Sequence, residues 1–278
     1  MRLLRAAWLL ALAPLPVLAQ SEGKVLRLAS APFPHASRSY RDDRVLAYVT
    51  PGVAGPEVDV IVHYHGHRTP DAIADARARK LPQQLRDSGK AALLLAPAGP
   101  VGANDSSGGK HDEPGGLKRF LDEAFAAAAR EGLLPAGARP GRVVLSGFSG
   151  GGRVIAFALR QGGVPVQEVW LHDALYGQFD AYSRWARAPG RRLVSTHTPG
   201  GGTRGHNQSM AAELRAAGIP VAGDPGDPGA HAVFMAVPEG HQAVTGRFGA
   251  IARGSRLRAR QASPAPAQPT RGIVDQLR

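Results

Sequence analysis

The sequence predicts an α/β fold: a mostly parallel, doubly wound sheet with an antiparallel N-terminal start. Three observations carry this. From residue 57 onward, short apolar runs alternate with longer stretches of helical periodicity. Runs apolar on both faces belong to strands buried between two helix layers. Ahead of them, "KVLRLA" (24–29) and "RVLAYVT" (44–50) read as two strands joined by a proline-containing loop, an antiparallel beginning. The later strands are expected at 57–64, 91–96, 142–147, 167–172, 191–196 and 231–237, and the helices at 71–88, 116–131, 151–161, 178–187, 207–217 and 242–252.

Residues 1–19 place Arg2 and Arg5 before an apolar stretch, then Pro14, Pro16 and the small residues Val17 and Ala19. This is the pattern of a cleavable secretory signal peptide, too short and too proline-broken to span a bilayer. It leads to the expectation of a secreted or periplasmic protein. The remainder, residues 20–253, suits a single domain. Residues 254–278 are basic and proline-rich and are expected to form a mostly disordered tail. The chain has no cysteine, which excludes thiol catalysis, zinc-cysteine sites and disulfides, so a packed core must supply its stability. Thirty-four Lys and Arg against 22 Asp and Glu give a formal net charge of +12. Such a field favours an anionic cell-envelope surface over nucleic acid for an exported protein, although arginine scattered over solvated faces is the stronger explanation of the excess. No nucleic-acid motif and no further long apolar run is present.

The chemistry concentrates at "LSGFSGGGRV" (145–154). Gly147, Ser149 and Gly151 form G-x-S-x-G between an expected strand and an expected helix, the context in which that motif builds a nucleophile elbow. The turn is tight, so the positions two before and two after the serine must be small. The helix start adds partial positive charge, and the Gly150 N–H can face an oxyanion. A dinucleotide loop does not fit, because Ser149 stands where its second glycine belongs. In "SSGGKH" (106–111) a phosphate loop does not fit either, since Asn104 replaces its first glycine and His111 follows Lys110.

With these residues in this context, the chain resembles the α/β-hydrolase-fold serine hydrolases, in layout the exported esterases and polyester-depolymerase-like enzymes, over about residues 24–252. The resemblance implies a nucleophile–acid–base order with the base after the last strand, where His241 stands in "VPEGHQAV". His231 begins that strand, at its opposite end. The acid is implied to be Asp173 in "WLHDALYG"; the commoner place one strand later has no carboxylate, and Asp224 and Asp227 remain alternatives. A second oxyanion donor is implied after strand 57–64, from the N–H of Gly66 or His67. The expected function is an exported ester or amide hydrolase forming an acyl-enzyme on Ser149, with no cofactor and with a small-molecule or polymer substrate.

Two other classes remain open at this level. His63, His65 and His67 alternate along a strand, and three imidazoles make a catalytic zinc shell, partly resembling the H-x-H-x-D-H motif of metallo-β-lactamase-fold hydrolases. Gly66 replaces that motif's aspartate. A non-catalytic binder on a hydrolase scaffold is the second alternative. The long loop 99–116 should overhang the site, offering Asp105, Ser106, Lys110 and His111 to a polar substrate, with Tyr176 on the facing wall. The absence of a large apolar insertion between strands points away from a lipase.

Overall fold

A computed structural model of the chain describes residues 22–227 and 229–261. The segment expected to be a signal peptide, residues 1–19, lies outside these residues. The strands are β1 Lys24–Arg27, β2 Arg44–Val49, β3 Glu57–Tyr64, β4 Leu93–Pro97, β5 Arg139–Phe148, β6 Glu168–His172, β7 Arg192–His197, β8 Val221–Ala222 and β9 Ala232–Ala236. They form one sheet in the order β1-β2-β4-β3-β5-β6-β7-β9-β8. The β1–β2 and β2–β4 pairings are antiparallel and the rest parallel, as the apolar pattern predicts.

The helices are α1 Ala72–Ala78, α2 Leu81–Asp87, α3 Gly116–Arg130, α4 Gly151–Gln161, α5 Phe179–Ala186, α6 Arg204–Ala216 and α7 Phe248–Arg253. They cover both faces of the sheet, and the side-chain alternation of the strands separates two cores. Val60, Val62, Leu145 and Leu171 pack under α3–α6 with Leu117, Phe120, Ile155 and Tyr182. Ile61, Val144, Trp170 and Val194 pack under α1, α2 and α7 with Ile73, Leu85, Phe248 and Ile251.

Three local differences from the sequence pattern have physical causes. The expected helix 71–88 is two helices, because Lys80 adopts φ 55° and the second helix restarts with Pro82 in its first turn. The first is capped by Asp71, whose Oδ1 accepts from Ile73 N at 3.0 Å and Ala74 N at 3.1 Å. The expected helix 242–252 begins as a 3₁₀ segment, His241–Arg247. There the Gln242 carbonyl accepts from Arg79 at 2.6 Å and the Thr245 carbonyl from Gln84 at 3.1 Å, so side chains of another helix pair replace α-helical partners.

The third concerns the tail boundary. Residues 254–261 pack on the domain rather than leaving it at residue 253: Leu257 is buried in the second core, Arg258 N donates to Asp59 at 2.8 Å, and Lys90 pairs with Ala259. Asp59 inside β3 and Glu168 at the start of β6 are buried acceptors, and Arg258 N and Arg256 N of this segment complete what Arg142 N and Trp170 Nε1 donate to them. The rest of the expected tail, 262–278, lies outside the described residues.

Burial also leaves imidazoles deep in the molecule. His111 and His172 are fully enclosed, hydrogen-bonded to the Tyr64 hydroxyl at 2.8 Å and the Ser146 hydroxyl at 3.2 Å, and burial lowers both to about 3. Their folded-state values lie below the free-imidazole value of 6.5. As the pH falls, the unfolded chain therefore takes the protons first. Their contribution is whole above pH 6.5 and drains away toward pH 3. Between pH 7 and pH 5 each costs about 2 kcal/mol, and burial lowers His63 in the same direction, so urea titrations should show a loss of at least about 4 kcal/mol. A loss below about 1 kcal/mol would show that the imidazoles protonate inside the fold.

Candidate active site

Strand β5 ends at Phe148 and α4 begins at Gly151, so Ser149 sits in a two-residue turn. Its φ of 50° is left-handed backbone, costing an L-residue about 1–2 kcal/mol. The turn is held by its N–H donating to the His172 carbonyl at 3.2 Å. The motif's last glycine is required by space: a Cβ on Gly151 would lie 2.5 Å from the Tyr64 carbonyl oxygen. The turn thus presses the start of α4 against the end of β3 and raises the Ser149 hydroxyl at the carboxyl edge of the sheet.

His241 arrives from the loop after β9. Its Nε2 lies 3.0 Å from Ser149 Oγ and its Nδ1 2.7 Å from Asp173 Oδ2. The imidazole packs against the Phe148 ring at 4.9 Å, and the Arg79 guanidinium lies 4.3 Å from that same Phe148 ring while binding the Gln242 carbonyl. Asp173 follows β6 directly, with φ 47° and its N–H donating to the Thr196 carbonyl at 3.0 Å. Its carboxylate is buried, 1% exposed, and accepts from the Thr203 hydroxyl at one oxygen and from Thr198 Oγ1 at 3.4 Å at the other. Ser149, His241 and Asp173 are thereby joined in one hydrogen-bonded chain.

Backbone flanks the serine on its other side. A Cβ on Gly66 would lie 3.1 Å from the Ser149 Cβ, so the loop after β3 runs alongside the serine. The Gly66 carbonyl is turned away, accepting from Thr69 Oγ1 at 3.0 Å and from His65 Nδ1 at 2.8 Å. Among the described residues, no protein acceptor takes the N–H of Gly66, His67 or Gly150. Three amide donors thus stand free beside the hydroxyl.

A cleft of about 420 Å³ opens in front of Ser149, walled by His67, Ser106, Arg153, Tyr176 and Gln178. Burial and the Asp173 carboxylate raise the Tyr176 phenol above its ordinary value, with a hydrogen bond to Ser149 acting the other way. Ser106 and Tyr176 therefore stand where the sequence places substrate contacts. Asp105, Lys110 and His111 do not. Asp105 is tied to Arg38 at 3.2 Å and to Ser107 N at 3.0 Å. Lys110 reaches back to the Ala29 carbonyl at 2.7 Å, and His111 is buried beneath the loop against Phe120. The loop is folded by its 3₁₀ turn, Gly109–Asp112, which points these side chains inward or away.

The rival sites are dispersed. His63 points into the core toward Ser146 Oγ at 2.9 Å, His65 binds its neighbour's carbonyl, and His67 pairs with Ser106, because the strand alternation ends at Tyr64. Among the described residues no cluster of three or more His, Asp or Glu is arranged to hold a metal. Asp224 and Asp227 lie in exposed turns that they cap, through Gly226 N at 2.7 Å and Gly229 N at 2.9 Å. Sequence reasoning missed Thr198, Thr203, Arg79 and Arg153. The threonines lie in "THTPGGGT", the segment after β7 that has no carboxylate of its own, and no sequence signal marks the two arginines.

No protein-family model matches the sequence, and no curated protein matches it. Solved structures are similar in fold. The siderophore hydrolase EstA from Aspergillus nidulans is 13% identical, with a TM-score of 0.50, covering 90% of this chain and 97% of that one. The BES protein from Bacillus cereus is 12% identical with a TM-score of 0.53, covering 87% and 98%. Thermogutta terrifontis esterase 2, phosphoramylated by tabun, is 14% identical with a TM-score of 0.50, covering 79% and 84%. The chain has the α/β-hydrolase fold.

Proposed function

We propose that the protein is a serine hydrolase that cleaves an ester bond through an acyl-enzyme on Ser149. The observation that carries this is the continuous Ser149–His241–Asp173 hydrogen-bonded chain beside three unengaged amide donors. His241 Nε2 takes the hydroxyl proton as Ser149 Oγ attacks the carbonyl carbon. The developing oxyanion is received by the N–H groups of Gly150 and of Gly66 or His67, each worth about a hundred- to thousand-fold in rate. His241 then gives its proton to the leaving alcohol, the C–O bond breaks, and water activated by the same imidazole releases the acid. Asp173 holds Nδ1 as the donor throughout, so that Nε2 starts as a base.

The similarity in fold to proteins described as esterases and a siderophore hydrolase supports this reading, as does the tabun adduct on one of them. Amide cleavage would use the same steps. Export is part of the proposal and rests on residues 1–19 alone.

The test is labelling with a fluorophosphonate and mapping of the modified peptide. A single adduct on Ser149 is expected. An adduct elsewhere, or none, would overturn the reading, and failure to turn over a broad panel of activated esters and amides would favour a non-catalytic scaffold.

A further inference from the structure

Arg153 follows Ser149 by one turn of α4 and forms part of the cleft wall. One nitrogen, Nη1, is used inward, donating to the Ser106 carbonyl at 3.0 Å and to Asp112 Oδ2 at 2.8 Å. The guanidinium carbon lies 4.3 Å over the Phe157 ring. These three contacts fix the plane of the group. Among the described residues no protein acceptor takes its Nε or Nη2, and the side chain is 36% exposed. A guanidinium held at one nitrogen, with its Nε–Nη2 edge taken by no protein acceptor among the described residues, is organised for two parallel hydrogen bonds to a planar carboxylate.

The surrounding charges leave that edge available. Asp112 sits behind the arginine and shares its bonded oxygen with Gly108 N at 3.0 Å. Asp105 is engaged by Arg38 at 3.2 Å and Asp180 by Arg160 at 2.8 Å. Among the described residues no carboxylate side chain lines the cleft, where Arg153 is the formally charged group. The chain's net charge of +12 adds a field that draws anions toward the surface.

Resting on the serine-hydrolase reading, we propose that the substrate ester carries a carboxylate close to the scissile bond, and that Arg153 holds it through Nε and Nη2. Arg153 then determines specificity rather than taking part in bond breaking.

Two matched pairs of esters test this on the full-length protein. The acetyl ester of 4-hydroxybenzoate, anionic on the leaving group, is compared with that of methyl 4-hydroxybenzoate. 4-Nitrophenyl hydrogen adipate, anionic on the acyl chain, is compared with 4-nitrophenyl methyl adipate. The quantity read is the anionic-to-neutral ratio of kcat/KM within the wild type, Arg153→Lys and Arg153→Met, so that general damage to the site cancels. In one pair the ratio should fall about 10- to 100-fold from wild type to methionine. Lysine, which keeps the charge without the fork, should keep part of it. Added salt should lower the wild-type ratio. The pair that responds tells which side of the ester carries the acid. Unchanged ratios in both pairs would overturn the proposal while turnover and Ser149 labelling leave the hydrolase reading standing. If the wild type neither turns over any of these esters nor labels at Ser149, the hydrolase reading falls and the proposal with it.

Discussion

Replacing Ser149 with alanine is expected to lower kcat on an activated ester by about 10⁵- to 10⁶-fold. Oγ is the acceptor-donor partner of His241 Nε2 at 3.0 Å, and it carries no structural hydrogen bond on which the fold relies. Removing it deletes the atom proposed to attack while leaving the three amide donors and the cleft in place. A residual rate above the uncatalysed reaction, about 10³-fold, should therefore survive. His241→Ala should cost a similar amount, and the double variant little more, because the two groups act as one unit. Stability should scarcely change in Ser149→Ala. Glycine at the same position should be more stable than serine by about 1 kcal/mol, since the φ of 50° then carries no steric cost. Progress curves over milligram amounts of enzyme, with melting temperatures measured alongside, check both halves. Activity within tenfold of wild type in Ser149→Ala would place the chemistry elsewhere.

The parts of this site that were readable from the sequence are those encoded locally. Ser149 is marked by glycines within two positions of it, because the same tight turn imposes both the exposure of the hydroxyl and the loss of neighbouring side chains. His241 is marked by its place after the last long apolar run. Other contributors depend on distant segments meeting. Asp173 is held by Thr198 and Thr203 from the loop after β7, and no periodicity links a threonine there to a carboxylate after β6. Arg79, which pins the His241 loop, lies far earlier in the chain and reads as one more solvated charge on an amphipathic helix. His111 is hidden for the opposite reason: a polar residue in a long loop looks exposed, whereas the 3₁₀ turn buries it against Tyr64 and Phe120.

The fold was legible where burial on both faces imposes long apolar runs, as in β3 to β7, and where one face of a helix must meet the sheet. It was not legible where backbone geometry turns on a single residue or on a side chain from elsewhere. Lys80 in left-handed conformation splits one amphipathic pattern into two helices without interrupting its apolar stripe. Val221–Ala222 is too short to show alternation and exists as a strand only because β9 lies beside it. The segment 254–261 is basic in composition yet ordered, since its backbone N–H groups are among the donors that the buried Asp59 and Glu168 accept from.

Asp173→Asn should lower kcat by about 10⁴-fold while preserving the fold. Asparagine has the same shape and tolerates the φ of 47° at this position, and the Thr196 carbonyl still accepts its N–H. What changes is the group facing His241 Nδ1, now 2.7 Å from a carboxylate oxygen. With the amide oxygen left toward the Thr203 hydroxyl, its NH₂ meets Nδ1 and forces the imidazole into the tautomer that carries a proton on Nε2. That proton points at Ser149 and blocks it as an acceptor. If the amide flips, the tautomer is kept but the negative charge that stabilises the imidazolium in the transition state is gone. Both orientations slow acylation, so fluorophosphonate labelling of Ser149 should slow in parallel with turnover while the melting temperature holds. Among the described residues no other carboxylate reaches His241. A rate within tenfold of wild type would mean that the imidazole is oriented without this acid.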